Sequence, residues 1–392
     1  MSDLLWPGDH RAGELFSDAS VVAAMVRVEA AWLAALHGQG LAETVPDLRG
    51  LVGEGDVPAL ARAAEGGGNP VIPLLALLRE RLGETAARRL HAGLTSQDVL
   101  DIALALCLRD AVDRLRDDLG DQIAALAALA GRHRGTPMAG RTLTQHAVPI
   151  TFGLKAAGWL QGVLDARDQL AEARLPIQLG GAAGSLAAPT VLAGSPEKAR
   201  ELVAATAETL GLAVREPWHT TRTPVARAGD ALVTCTDAWG RIANDVLVGA
   251  RPEVHELAES PASGRGGSSA MPNKRNPVLA VLLRRAALAG PPLAATLHAA
   301  AANAVDERPD GSWHVEWPTL RTLARRTVTA GSQAAELLAG LRVDAGRMAA
   351  NLAAARPGID AEQRKYGADG PYLGATDLII DAALARAGER PC

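Results

Sequence analysis

The sequence predicts an all-α protein built on an elongated bundle of unusually long helices. Three observations carry that prediction. Apolar residues make up 48% of the chain and aromatic residues only 3%, so the core is aliphatic, rich in the Ala and Leu that favour helices and let them pack closely. Helical periodicity covers roughly 102–133, 148–174, 223–251, 275–304 and 313–340, and lengths of about 25–30 residues exceed the globular mean of about 11–12. No stretch alternates β-branched and polar residues with period 2, so strands are expected to be few and short.

Taken in order, the region up to about residue 101 reads as a small helical domain, broken at Gly66-Gly67-Gly68-Asn69-Pro70. It ends on His91-Ala92-Gly93-Leu94-Thr95-Ser96-Gln97-Asp98. Thr95 and Ser96 stand where an N-cap belongs, and Asp98 suits the positive end of the following helix. The same geometry offers free N–H groups and two hydroxyls to a carboxylate ligand. Leu119, Ile123, Leu126 and Ala130 then fall on one helix face, and Gly131 to Pro137 end that helix. In the segment from Gly140 to Pro149, His146 stands just before Pro149, where the next helix is expected to begin. That position suits a surface or capping residue, and equally a proton-transfer group working near neutral pH.

Gly180-Gly181-Ala182-Ala183-Gly184 and Ser260 to Ser269 are small-residue loops. The second leads into Met271-Pro272-Asn273-Lys274-Arg275-Asn276-Pro277 and a helix start, where Lys274 and Arg275 oppose the dipole. A locally broken rule points to function, here a lid presenting Ser, Asn and Lys to an acidic substrate. Trp313 and Trp317 in the segment from Glu307 to Trp317 are four apart and share one helix face. Arg356-Pro357-Gly358 and Gly367 to Pro371 leave the tail room for one or two short helices. The expected division is 1–101, 102–341 for a five-helix bundle, and 342–392 for a short helical remnant.

Composition excludes several classes. Forty basic against 44 acidic residues, a net charge of −4, create no field to recruit nucleic acid or an anionic membrane. Cys107, Cys235 and Cys392 match neither a disulfide framework nor zinc spacing, and point to a reducing cytoplasm. Met1 to Gly13 lacks signal-peptide character, and without an uninterrupted apolar run of about 18 residues no membrane span is expected. There is no His-Glu-x-x-His; Lys274 precedes Arg275 rather than Ser or Thr; Gly264-Arg265-Gly266 follows no strand. Neither a metal nor a cofactor is expected.

Together the four segments, in this order, resemble the fumarase/aspartase superfamily, whose signature Gly-Ser-Ser-x-Met-Pro-x-Lys-x-Asn-Pro is matched at every fixed position by residues 267–277. Within it, Arg141-Thr142, Gln145-His146-Ala147, Gln178 to Leu186, Pro217-Trp218-His219-Thr220 and Glu307 to Trp317 are similar to the 3-carboxy-cis,cis-muconate cycloisomerases. Adenylosuccinate lyases carry an Asp-Leu-Ser stretch in the last segment, and they and fumarases place a glutamate soon after the signature. Here the run is Val278-Leu279-Ala280-Val281. Elimination from adenylosuccinate or another substituted succinate stays open as an alternative, as does an inactive structural homologue.

The resemblance implies a fumarase/aspartase-like helical bundle, assembled as a homotetramer with sites shared among subunits. It implies lactonisation of a small tricarboxylate without metal or cofactor. Ser268 is then the proton-transfer residue and His146 its acid/base complement. Thr95, Ser96, Arg141, Thr142, Ser269, Met271, Lys274 and Asn276 bind substrate. Two departures stand out. Position 143 is Leu where many relatives carry Trp or His, and the tail after Asn351 is too short for a full third helical domain.

Overall fold

The computed structural model describes residues 3–173, 176–271, 273–367 and 372–389; Pro272 of the signature, residues 368–371 of the tail and Cys392 lie outside the described residues. Helices dominate, as the aliphatic composition requires. They are α1 (Asp18–Gly38), α2 (Val57–Gly67), α3 (Val71–Arg81), α4 (Glu84–Arg89) and α5 (Ser96–Arg132). The hairpin β1 (Pro137–Thr142) and β2 (Gln145–Thr151) follows, then α6 (Phe152–Glu172), α7 (Ala187–Ala193), α8 (Pro196–Leu210) and α9 (Thr223–Gly249). The chain ends with β3 (Leu257–Ala258), α10 (Val278–Ala302), α11 (Gly311–Ala339), β4 (Arg342–Val343), α12 (Ala345–Lys365) and α13 (Thr376–Ala387).

Contacts divide the chain into two compact units. The first comprises Met1–Asp113, Ala173–Asp230 and Pro292–Arg325, the second Arg114–Glu172, Ala231–Pro291 and Arg326–Cys392. In the first unit, the Ser17 hydroxyl caps α1 by accepting the Ser20 N–H, and α1 buries Val28, Trp32, Leu33 and Leu36. Trp32 satisfies its indole N–H on the Ala92 carbonyl at 2.8 Å. In the second unit, the indole of Trp239 donates to Gln122 at 2.7 Å, and Gln122 donates to the Gly331 carbonyl at 3.0 Å. Leu119, Leu126 and Ala130 are buried as their spacing predicts, with Gln122 on the same side. Cys107 and Cys235 are buried free thiols, and burial pushes both up to about 12, so they are protonated and unreactive.

The long helices stand close to the predicted stretches, with two informative shifts. Pro149 does not open a helix: it lies in β2, opposite Ala139, and α6 starts at Phe152. A two-stranded ribbon consists of edges, so a residue without an N–H is tolerated there. Lys274 and Arg275 are not in the first turn of α10, which starts at Val278. That turn is occupied instead by the Glu259 carboxylate, which accepts the N–H of Ala280 at 2.8 Å and of Leu279 at 3.2 Å. The expected conflict between cations and the dipole is thereby absent. By length and composition alone, α1 and α10 are apolar enough to cross a membrane; α1 is mostly buried in the fold, whereas only 33% of the α10 window is.

Candidate functional site

In the first unit, Thr95 and Ser96 stand at the start of α5, both half-buried. The fully buried Asp98 organises this helix end. Its carboxylate accepts the N–H of Thr95 at 3.0 Å, of Gly180 at 2.9 Å and of Gly181 at 3.0 Å, fastening the small-residue loop to the helix start. The Thr95 hydroxyl accepts a hydrogen bond from Arg308. His91, in the left-handed region at φ +63°, packs its Nδ1 against buried Glu29 at 2.7 Å. His219 is buried beside Asp98, its Nε2 3.6 Å from the carboxylate, and among the described residues neither ring nitrogen has a hydrogen-bond partner. A Cβ at position 180 would meet His219 Cε1 at 2.5 Å, which is why glycine is required there.

Behind this helix end lies a buried charge network. Arg222 donates to Asp101 at 2.8 and 3.1 Å and to Glu316 at 2.6 Å, and the Trp313 indole donates to Asp101 at 2.9 Å. Burial raises the Glu316 pKa above the usual carboxylate range, with Arg222 opposing it. Burial also works to lower the Arg222 pKa, but the two carboxylates outweigh it and the net shift is upward. Trp313 and Glu316, in the segment whose sequence pointed to substrate choice, are thus core residues with buried partners.

In the second unit the signature loop is pinned at its base. Ser260 bonds the Gly340 carbonyl through both its N–H, at 3.1 Å, and its hydroxyl, at 2.7 Å. Arg265 pairs with Glu336. Asn276 closes the loop with its N–H on the Gly266 carbonyl at 2.8 Å and its side chain on the Gly267 carbonyl at 3.5 Å. A Cβ on Gly266 would lie 2.8 Å from the Asn276 carbonyl, so only glycine permits this closure. Inside the loop, the Ser268 hydroxyl oxygen accepts the N–H of Met271 at 3.1 Å and of Ala270 at 3.3 Å. Ser269, Met271 and Lys274 are exposed, and Ser268 and Asn276 half-buried.

The hairpin brings together three further predicted residues. Arg141 faces His146 across the ribbon, and Thr142 faces Gln145 in the last rung. Thr142 and His146 are exposed. Arg141 is not: both terminal nitrogens donate to Glu256, at 2.7 and 2.9 Å. Hairpin and loop therefore hang on different supports, the hairpin on Glu256 and α12, the loop on α10 and α11. Sequence reasoning identifies Asp98 only as a helix-end acid, not as the anchor of Gly180 and Gly181, and it passes over Arg308, Arg222, Glu256 and Glu259. Only Asp98 and Arg308 lay in segments it had singled out. A cavity of about 260 Å³ in the first unit, walled by Phe16, Val22, Met25, Leu60 and Leu104, contains none of the predicted site residues.

The bundle of long helices, the Gly267–Pro277 loop and the hydroxyl-bearing start of α5 set the frame in which the chain compares with known proteins. The lyase family model matches residues 69–289. The chain is 48% identical over 351 residues to the nitrosuccinate lyase of Streptomyces davaonensis, covering 86% of this chain and 73% of that protein. It is 43% identical over 343 residues to the 3-carboxy-cis,cis-muconate cycloisomerase of Bradyrhizobium diazoefficiens, covering 85% and 74%. The crystal structure of the 3-carboxy-cis,cis-muconate lactonizing enzyme from Pseudomonas putida superposes with a TM-score of 0.84 at 33% identity over 96% of both chains. The chain belongs to the fumarase/aspartase superfamily of lyases.

Proposed function

We propose that this protein is a cycloisomerase that lactonises 3-carboxy-cis,cis-muconate to a carboxymuconolactone, a step of protocatechuate breakdown in the cytoplasm. The observation that carries this reading is the agreement with the Pseudomonas putida lactonizing enzyme over 96% of both chains. One substrate carboxylate oxygen adds to an alkene carbon, forming the C–O bond. The displaced electron pair moves to the neighbouring carbon and delocalises into its carboxylate. A proton then reaches that carbon, so product and substrate are isomers. Proton transfer and charge stabilisation are what the chain has to supply.

Ser268 transfers the proton. The two amide N–H groups on its oxygen support this, since they stabilise negative charge as it develops there. Lys274, Asn276, Thr95, Ser96 and Thr142 bind the substrate carboxylates, with Ser269 and Met271 completing the lid. Donors held ready around the delocalised carboxylate supply the largest catalytic effect, of order several kcal/mol. His146 is the complementary acid/base. The working form is a homotetramer in which each site draws on three subunits, which accounts for the scatter of these residues along the chain.

A second reading is favoured by the 48% identity to a nitrosuccinate lyase: elimination from a nitro-substituted succinate, a C–N bond breaking with nitrite as leaving group. Both reactions pass through a carbanion beside a carboxylate, so one loop serves either. Ultraviolet absorbance of 3-carboxy-cis,cis-muconate and nitrite release from nitrosuccinate separate them. The expected outcome is decay of the absorbance without nitrite, and Ser268→Ala slowing kcat about 10²–10⁴-fold with the fold intact. Nitrite release without lactonisation overturns the first reading in favour of the second. An unaffected Ser268→Ala variant removes Ser268 from the mechanism.

A further inference from the structure

Arg141 raises a question that its neighbours answer. Its guanidinium meets Glu256 in a two-pronged pair, Nη1 to Oε2 at 2.9 Å and Nη2 to Oε1 at 2.7 Å. The Glu256 side chain is 2% exposed and that of Arg141 21%, so the acid is the buried anchor and the arginine the arm resting on it. Asn351 of α12 donates Nδ2 to the same Oε1 at 2.8 Å and to the Val254 carbonyl at 2.9 Å. One turn earlier, Arg347 donates to the carbonyls of Val254 at 3.1 Å and Glu253 at 3.0 Å. The N–H of Asp344, the cap of α12, meets the Glu256 carbonyl at 3.0 Å. Backbone and side chain of residues 253–256 are therefore both held by the start of α12. An apolar contact runs beside this one, with Ala139 of β1 clustered against Leu352, Ala355 and Ile359.

These ties act on one rung of the hairpin. Arg141 and His146 are Cα partners there, so their side chains leave the same face of the ribbon. A bidentate carboxylate–guanidinium pair fixes orientation as well as distance. Fixing Arg141 consequently fixes the backbone that carries His146.

We propose that Glu256 and Asn351 are positioning residues: they hold Arg141, and through it the His146 rung, so that the Arg141 guanidinium supports the hairpin instead of binding substrate. The kinetic part rests on the lyase-type reading above; the structural part does not. Three variants test it, Glu256→Gln, Asn351→Ala and the double Arg141→Met/Glu256→Met. Breaking a buried pair from one side is far worse than replacing both partners by apolar side chains of similar size.

Each variant is measured as the full chain by amide hydrogen exchange over residues 138–150 and by kcat and KM on 3-carboxy-cis,cis-muconate. A small displacement of a catalytic group costs up to about 10²-fold. Glu256→Gln is accordingly expected to speed hairpin exchange and to lower kcat about tenfold or more, with KM within about twofold. Asn351→Ala moves both readouts the same way by less, and the double variant restores kcat to within about threefold of wild type. Unchanged hairpin exchange in both single variants overturns the clamp. So does a double variant that keeps kcat but raises KM about tenfold, because Arg141 would then be a substrate ligand. Should wild type fail to turn over the muconate, the functional reading falls and hairpin exchange alone decides the clamp.

Discussion

Leu143 and Thr144 close the hairpin with φ of +48° and +71°. A two-residue loop with both φ positive is the type I′ arrangement, which favours Asn-Gly or Asp-Gly and is costly for a β-branched residue. Left-handed backbone costs a non-glycine residue roughly 1–2 kcal/mol, and Leu143 is also 95% exposed. Thr144→Gly should therefore raise the melting temperature by an amount equivalent to about 1 kcal/mol. If the strained tip serves catalysis, the same variant loses kcat while gaining stability. Calorimetry and the lactonisation assay on one preparation check both; a lower melting temperature refutes the strain argument. This turn is illegible in the sequence because Leu-Thr carries no turn signature and Pro149 suits a helix start as well as a ribbon edge. The opposite holds for the signature loop. Gly266 pairs with Asn276 and Ser268 with Met271, all within eleven residues, so the loop's closure is a local property that a string of residues can display.

Among elements, the network around Arg222 shows what separation in sequence conceals. Asp101 comes from α5, Arg222 from the residues just before α9, and Glu316 from α11. No spacing rule links positions so far apart, and Arg222 lies just outside the Pro217-Trp218-His219-Thr220 segment that the sequence marks. The pairing of Trp313 with Trp317 was legible, because four residues is one helical turn; their rings meet edge to face with centroids 4.6 Å apart. Their role was not, since only the fold reveals that the Trp313 indole is spent on Asp101. Arg222→Met leaves two buried carboxylates without their cation, a loss expected to cost about 3–5 kcal/mol. It also has a pH signature. Burial already raises the Glu316 pKa and Arg222 opposes the rise, so without Arg222 the folded-state value climbs further. An acid whose folded pKa exceeds its unfolded value, here 4.5, binds its proton more tightly when folded. Stability then falls as pH rises through the folded value and is regained on acidification toward 4.5. The gap between Arg222→Met and wild type in urea midpoints should thus narrow as pH falls from neutrality; a gap independent of pH refutes the assignment to Glu316.

At the scale of the whole molecule, the open question is what covers α10. Its apolar window has a mean hydropathy of 1.4 with only 33% of its residues buried, whereas the comparably apolar α1 is 61% buried. Val281 and Leu288 remain 50% and 70% exposed, and a spacing of seven places them on one stripe of the helix. Each Å² of apolar surface removed from water is worth about 25 cal/mol, so a stripe of this kind is a standing drive toward association. In the proposed tetramer, a second copy of the chain would cover it. Alanine richness made the long helices legible in the sequence. The same composition hid which faces are internal, because Ala and Leu look alike whether they face a neighbouring helix or another subunit. Leu288→Glu sets a charge in the middle of the stripe. Sedimentation velocity should then show a smaller species in place of the tetramer, with helical content retained. If each site draws on several subunits, lactonisation should disappear with assembly, and mixing with an excess of Ser268→Ala tetramer should not supply it within an unassembled protomer. A dissociated Leu288→Glu protein that keeps wild-type kcat would mean that one subunit carries a complete site, and the shared-site proposal would fail.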